Sequence, residues 1–459
     1  MKTDHMSINP LTKNITGLLV LLFLTGLTFA FSRPAYIKPI EKKSSKETYI
    51  PAKVWRVPDN NDYNNDESEY SHKRKVESEN IVIFWAKEFG DNPMQHQDAN
   101  KRFDVHQALK ECERFYNFYV DSLKIVRKGS SLTDKYKVLF YVIGGDEQTA
   151  FGGGAENKVG ILWTPAVRMS KAPYGALAHE LGHAFQYLAS SDNNTGLHGP
   201  IMEMSAQYML WQVYPEWMTF ENYHLVSFMK KTHYAFLHPT NMYHSPYVIE
   251  YWSDKHGMDF FGKLLREVKK KEDPVMAYKR IARISQEQFN DEIFDAARRF
   301  ITWDIKRIEK VASRYANQHT SELNPVGDGW YRIAETNCLQ NYGYNGIRLN
   351  IPAAGTKVKL KFKGFAGNQG FSTVDKNIAG WRYGFLAVKK DGVRVYGKVF
   401  VDADGSADFK VPINTEHLWL VVSGAPKEHQ ELSDKDQNYE QWPYQIKLSG
   451  TSLHASVIK

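Results

Sequence analysis

The sequence predicts an α+β protein, mixed α/β in its first part and all-β in its last. Two observations carry this class. Up to about residue 320, apolar residues recur mainly at helical spacing, with short apolar strands between them. From about Trp330 the period changes to two. "GIRLNIP", "KVKLKFKGF", "YGFLAVKKDGVRVYGKVFVD", "ADFKVPI" and "HLWLVVSG" alternate with turn formers, including the hairpin cue Lys390-Asp391-Gly392. Residues 325–455 therefore read as an all-β sandwich domain.

The elements follow in order. Lys13 precedes an apolar run over residues 18–29, and Ala30 is a small residue at the expected cleavage position. Residues 1–30 thus read as a signal peptide, and the chain as secreted, periplasmic or on the cell surface. The run falls short of the ~20 residues of a membrane span, so none is expected after cleavage. Residues 31–75, with "DNNDYNNDESEYSHKRK", read as a polar linker, disordered or laid on the surface. It is no EF-hand loop, because Asn64 stands where a Gly is needed. Residues 81–85 open a domain over 76–320 as a buried strand. Leu109, Cys112, Phe115, Tyr116, Tyr119 and Leu123 predict a helix over 103–126. Residues 136–143 read as a strand, Gly152-Gly153-Gly154 as a flexible loop, 160–163 as a short strand, and 246–310 as mostly helical.

A hydrophobic share of 42% is that of a globular protein, and a formal charge of +7 over 459 residues is mild. No basic cluster is interleaved with aromatics, so no nucleic-acid partner is expected. The two cysteines, Cys112 and Cys338, form no C-x-x-C, and no thiolate zinc site competes with the histidines. Export permits a disulfide between them; a buried free thiol is the usual state of a cysteine such as Cys112 in a helical pattern. G-x-S-x-G and phosphate-loop motifs are absent.

The stretch "ALAHELGHAF" (176–185) carries chemistry. Leu177, Leu181, Ala184 and Leu188 mark a helix, which puts His179 and His183 one turn apart on one face, with Glu180 directed at a ligand's water. Chance places H-E-x-x-H in roughly one such chain in thirty to fifty, so a third ligand decides. The metzincin extension fails at Gln186 and Ala189. Asp192 is a nearby alternative without supporting context. A helix beginning at Gly199-Pro200 and ending at Pro215 carries a single acid in its body, Glu203, among apolar neighbours. Such a carboxylate needs a cationic partner, either a metal or a buried Arg or Lys.

His179-Glu180-x-x-His183 followed by Glu203 resembles the gluzincin metallopeptidases, the thermolysin group by its spacing. That group has an aspartate four residues after the ligand glutamate, where this chain has Gln207. "SENIVIFWAKEFG" (78–90), "FGGGAENKVGILWTP" (151–165), "AHELGHAFQYL" (178–188), "IMEMSAQYM" (201–209), "LWLVVSGAP" and "WPYQIKL" are similar to a family of secreted microbial proteins catalogued as domain of unknown function 6055. The resemblance implies a zincin-like domain before the sandwich, and Zn2+ on His179, His183 and Glu203. Glu180 is then the general base on a zinc-bound water. Strand 160–163 is expected to pair with an extended protein, peptide or glycoprotein substrate. An oxyanion donor is sought among His224, His233, His238, His244, Tyr243 and Tyr247, with Tyr247 or His244 favoured. The other class of function is a zincin scaffold without turnover that binds extracellular glycan or protein.

Overall fold

Strands rich in β-branched and aromatic residues build the first sheet. They are β1 (Lys75–Glu77), β2 (Ile81–Trp85), β3 (Val138–Ile143), β4 (Phe151–Ala155) and β5 (Val159–Pro165), in the order β1-β2-β3-β5-β4. This is a computed structural model describing residues 45–459 apart from 221–222, 244, 373–374 and 432–438; the expected signal peptide lies outside the described residues. β2, β3 and β5 run parallel and are buried throughout, as strands covered on both faces must be. β1 and β4 are antiparallel edges.

One face of the sheet carries α1 (Val105–Asn117) and α2 (Gly175–Asn193). Phe185 of α2 packs between Tyr116 and Tyr119, whose hydroxyl donates to the Ala178 carbonyl at 2.9 Å. The other face presents a row of rings in register, Phe84, Tyr141, Trp163 and Phe151. Residues 45–74 cover that row. Trp55 sits on Phe151 and Trp163, Tyr63 on Phe84, and Tyr70 on Tyr141. Arg74, 4% exposed, gathers the carbonyls of Asp66, Ser68 and Glu69. From residue 45 this segment is therefore a surface-laid strap that completes the core, and its polar composition concealed three aromatic anchors.

Two further expectations are corrected. Gly152-Gly153-Gly154 is not a flexible loop but the middle of edge strand β4, and residues 160–163 lie inside the sheet, so β4 holds the edge. A hairpin turn with positive φ at Glu156 and Asn157 joins β4 to β5. β4 lies on the α2 backbone. A Cβ on Gly152 would stand 2.1 Å from the Glu180 carbonyl oxygen and 2.7 Å from the His183 Cβ, whereas one on Gly153 would meet nothing within 4 Å.

The chain continues through α3 (Ile201–Val213), α4 (Trp217–Phe220), α5 (Tyr223–Lys230), α6 (Tyr247–His256), α7 (Phe260–Glu267), α8 (Pro274–Ala282), α9 (Gln286–Phe300) and α10 (Glu309–Ala312). Two antiparallel sheets follow. One has β8 (Tyr344–Leu349), β10 (Trp381–Lys389), β11 (Arg394–Tyr396) and β13 (Thr415–Gly424) in the order β11-β10-β13-β8. The other has β6 (Leu323–Gly327), β7 (Trp330–Ile333), β9 (Lys357–Gly364), β12 (Asp404–Lys410) and β14 (Tyr444–Ser449) in the order β12-β9-β14-β7-β6. The hairpin cue at 390–392 joins β10 to β11. Leu418, Leu420 and Val422 of β13 face the sandwich interior, while Trp419 and Val421 join the core of the first domain. Cys112 and Cys338 are buried and unpaired. No helix among the described residues is long and apolar enough to cross a membrane.

The contact of β4 with α2 generates a paired expectation. Gly152→Ala should cost about 2 kcal/mol or more, since backbone has to move. Gly153→Ala should stay within about 0.5 kcal/mol of the parent. Urea midpoints compare the two; equal destabilisation would mean that β4 does not lie against α2 as described.

Candidate metal centre

Two helices at backbone distance make the site. Gly182 of α2 faces Ala206 of α3, and a Cβ on Gly182 would stand 3.3 Å from the Ala206 Cα. This approach brings Glu203, in the first turn of α3, against the two histidines one turn apart on α2. His179 Nε2 and His183 Nε2 are 3.2 Å apart. Glu203 Oε2 lies 3.2 Å from His179 Nε2, and Oε1 lies 3.4 Å from His183 Nε2. These three residues are the one group of three or more His, Cys, Asp or Glu suited to a metal ion among the described residues. Ligands about 2.05 Å from a tetrahedral ion stand about 3.3 Å from each other. The observed separations fit that edge length.

Both imidazoles are aimed by amides. His183 Nδ1 donates to Gln186 Oε1 at 2.9 Å, and the Gln186 amide nitrogen donates to Met202 O and Ser205 Oγ, each at 2.8 Å. The bond to Met202 O fixes which end of the amide faces His183, and hence the tautomer that leaves Nε2 a lone pair. His179 Nδ1 meets Gln207 Oε1 at 3.1 Å. Gln207 thus reaches the first histidine of the pair through its amide oxygen. Asp192 is elsewhere: it accepts from Ser131 Oγ and Leu132 N, which removes it as a ligand.

Electrostatics match this geometry. Burial pushes the Glu203 carboxyl up, but with the rings protonated the hydrogen bonds from His179 and His183 and their charge outweigh it and hold it well below the usual carboxylate range. Burial lowers the His183 imidazole, and Glu203, Glu180 and Gln186 together raise it above its ordinary value. Burial pushes the Glu180 carboxyl up, against the countering charge of both histidines.

The centre lies between two hollows. One of about 390 Å³ is lined by Glu180, His179, Arg168, Trp217, His224 and Tyr243. A smaller one of about 240 Å³ lies between His183, Gln186 and Gly152 of the edge strand. Tyr243 stands with its ring 6.3 Å from His179, and burial together with the Glu203 carboxylate pushes its hydroxyl up to about 12.

The expected oxyanion donors fare differently. His244 lies outside the described residues. Tyr247 is not at the site. It is fully buried among Trp211, Phe228 and Trp303, and its hydroxyl has no hydrogen-bond partner among the described residues. Its place near the start of a helix suggested a role, but its helical face turns it into the aromatic core. His233 and His238 are buried, which pulls each down to about 4, and neither lines the two hollows. Tyr243, in the same "MYHSPY" stretch, is the hydroxyl beside the carboxylates.

The amide that aims His183 should be measurable. Gln186→Leu should lower the unfolding free energy by about 1–3 kcal/mol, because Met202 O and Ser205 lose a buried partner. A denaturant midpoint equal to the parent's would show that this amide holds nothing.

The model of a family of unknown function (DUF6055) matches residues 40–455, and the chain belongs to that family. No curated protein matches the chain. Among solved structures, the crystal structure of Yersinia pseudotuberculosis-derived mitogen (YPM) is similar over 28% of this chain and 85% of that one. The identity is 12% and the TM-score 0.18, too low to support a structural inference.

Proposed function

With membership of that family as the premise, we propose that the chain is an exported zinc-dependent hydrolase of the gluzincin type, with metallopeptidase chemistry. The observation that carries this reading is the convergence of His179, His183 and Glu203 at tetrahedral edge lengths beside Glu180. The sheet order, with an antiparallel edge alongside the histidine helix, suits a zincin-type scaffold. The apolar run over residues 18–29 supports export.

Zinc held by these three side chains would supply a Lewis acid and bring the pKa of water to about 7. The chain's own residues do the rest. Glu180, its carboxyl raised by burial, takes the proton of the attacking water and hands it to the leaving nitrogen. Tyr243, with a hydroxyl that remains protonated at neutral pH, donates to the oxygen on which negative charge develops. Gln186 and Gln207 hold the imidazoles in orientation. β4 pairs on one side only among the described residues, so its other edge is suited to an extended protein, peptide or glycoprotein chain.

Elemental analysis should find one zinc per chain, lost in Glu203→Ala. A screen of denatured proteins, peptides and glycoproteins supplies a substrate. Glu180→Gln should then keep zinc and melting temperature while turnover falls about 10²–10⁴-fold. Tyr243→Phe should lower turnover about 10²–10³-fold, and Tyr247→Phe should leave it unchanged. Parent protein without zinc sinks the reading. Parent with zinc and no turnover across the screen replaces it with a binding scaffold for extracellular glycan or protein.

A further inference from the structure

The outer face of the five-stranded sandwich sheet is strongly basic. β9 reads KVKLKFKG, with its apolar residues buried and Lys357, Lys359, Lys361 and Lys363 exposed on the other face. Cross-strand registers extend the charge. Lys447 of β14 stands opposite Lys361, and Lys410 of β12 opposite Lys357. Arg332 of β7 stands opposite Gln445, which itself faces Lys363. Against these seven cations the same face of β12 offers two carboxylates, Asp404 and Asp408. The formal charge of the entire chain is only +7.

Two ordinary explanations of such lysines fail here. Lysines often protect an edge strand from pairing with another chain, but β9 lies inside its sheet, between β12 and β14. Exposed lysines are also often neutralised by neighbours. Lys357 does pair with Asp408 at 3.0 Å, yet Lys359 and Lys361 form no ion pair among the described residues. Lys447 donates to the Asp328 carbonyl, but like charges directly opposite each other destabilise a sheet, and among the described residues no carboxylate pairs with Lys361 or Lys447 to offset their register. A hollow of about 470 Å³ opens here, lined by Lys357, Lys359, Lys361 and Lys447 with Ser406, Ser449 and one carboxylate, Asp408, which Lys357 neutralises.

We propose that this face binds an anionic polysaccharide, independently of the reading of the metal centre. Outward residues two apart on a strand are about 6.6 Å apart, so β9 offers a straight row of point charges to a linear polymer bearing carboxylate or sulfate groups. Serine hydroxyls in the hollow suit sugar hydroxyls. A single-stranded nucleic acid would call for rings on which bases stack. Trp330, on β7 beyond β14, instead lies under the Lys363 ammonium, 5.2 Å from its ring centroid.

The test uses full-length protein with dextran sulfate, unsubstituted dextran and a single-stranded oligonucleotide as probes, at about 0.15 M salt, where the screening length is about 8 Å. The parent should bind dextran sulfate, with affinity falling as salt rises, and should not bind dextran. Combined Lys359→Ser, Lys361→Ser and Lys447→Ser should weaken binding about tenfold or more and flatten the salt dependence. Its melting temperature should equal or exceed the parent's. Combined Lys269→Ser, Lys270→Ser and Lys271→Ser removes the same charge elsewhere and should bind like the parent. Equal loss in both triple variants would reduce the effect to net charge and overturn the proposal. So would unchanged binding in the sheet variant, equal binding of dextran, or tighter binding of the oligonucleotide. Zinc content, measured on the same samples, keeps this outcome separate from that of the metal centre.

Discussion

Everything at the candidate centre depends on α2 being approached at backbone distance from two sides. Edge strand β4 reaches it through Gly152, with Gly154 on the Tyr187 ring, and α3 reaches it through the Gly182–Ala206 contact. A side chain on either approach would separate the elements by more than the tolerance of a coordination site, where misplacement by a fraction of an ångström matters. The histidines are therefore placed less by their own preferences than by what is missing beside them. The same closeness sets the chemistry, because it puts Glu203 within 3.4 Å of both ring nitrogens and leaves Glu180 facing the larger hollow.

That closeness also concentrates polar groups that fold poorly by themselves. An unpaired carboxylate in such surroundings would neutralise rather than remain charged. Glu203 instead stays ionised, since both imidazoles face it. Two histidines, a glutamate and two glutamines form one connected set in which both amides bond inward to the rings and that of Gln186 also bonds outward to Met202 and Ser205. A buried polar set is tolerable when its members are satisfied. The three ligand atoms, 3.2–3.4 Å from one another, converge on one point.

The sequence made the α+β class, the H-E-x-x-H helix, the glutamate helix and the sandwich legible, because each rests on local period and cap signals. What was illegible depended on partners far away in the chain. Trp55, Tyr63 and Tyr70 sit in a run that composition alone marks as a linker, and their role exists only because Phe84, Tyr141 and Trp163 form a row in register. The three glycines of β4 look like a loop until α2 is laid against them. Tyr243 and Tyr247 lie four apart in one stretch, and only the packing of α6 decides which faces the carboxylates and which the aromatic core. The alternate lysines of "KVKLKFK" were in plain view as a strand pattern. Their meaning came from the register of β14 and from β9 being interior.

The sandwich is not an appendage that happens to follow the first domain. Its four-stranded sheet is buried on both sides, since β13 sends Leu418, Leu420 and Val422 one way and Trp419 and Val421 the other. Trp419 Nε1 also donates to Asn317, and Arg382 of β10 pairs with Glu287 and Asp291 of α9. Asp273, at the start of α8, holds His429 at 2.8 Å with both nearly inaccessible, so the segment after β13 is tied back to the helices as well. Removing the sandwich would expose large apolar side chains of the first domain's core, each worth about 1.5–3 kcal/mol of burial, and the helices that bear on the centre would lose a wall. The described residues from 45 to 459 accordingly form one compact unit. With one sheet consumed in this way, the outer face of the other is the broad sandwich surface left to meet a partner. Its charge is therefore presented in a fixed relation to the cleft and not on a tether.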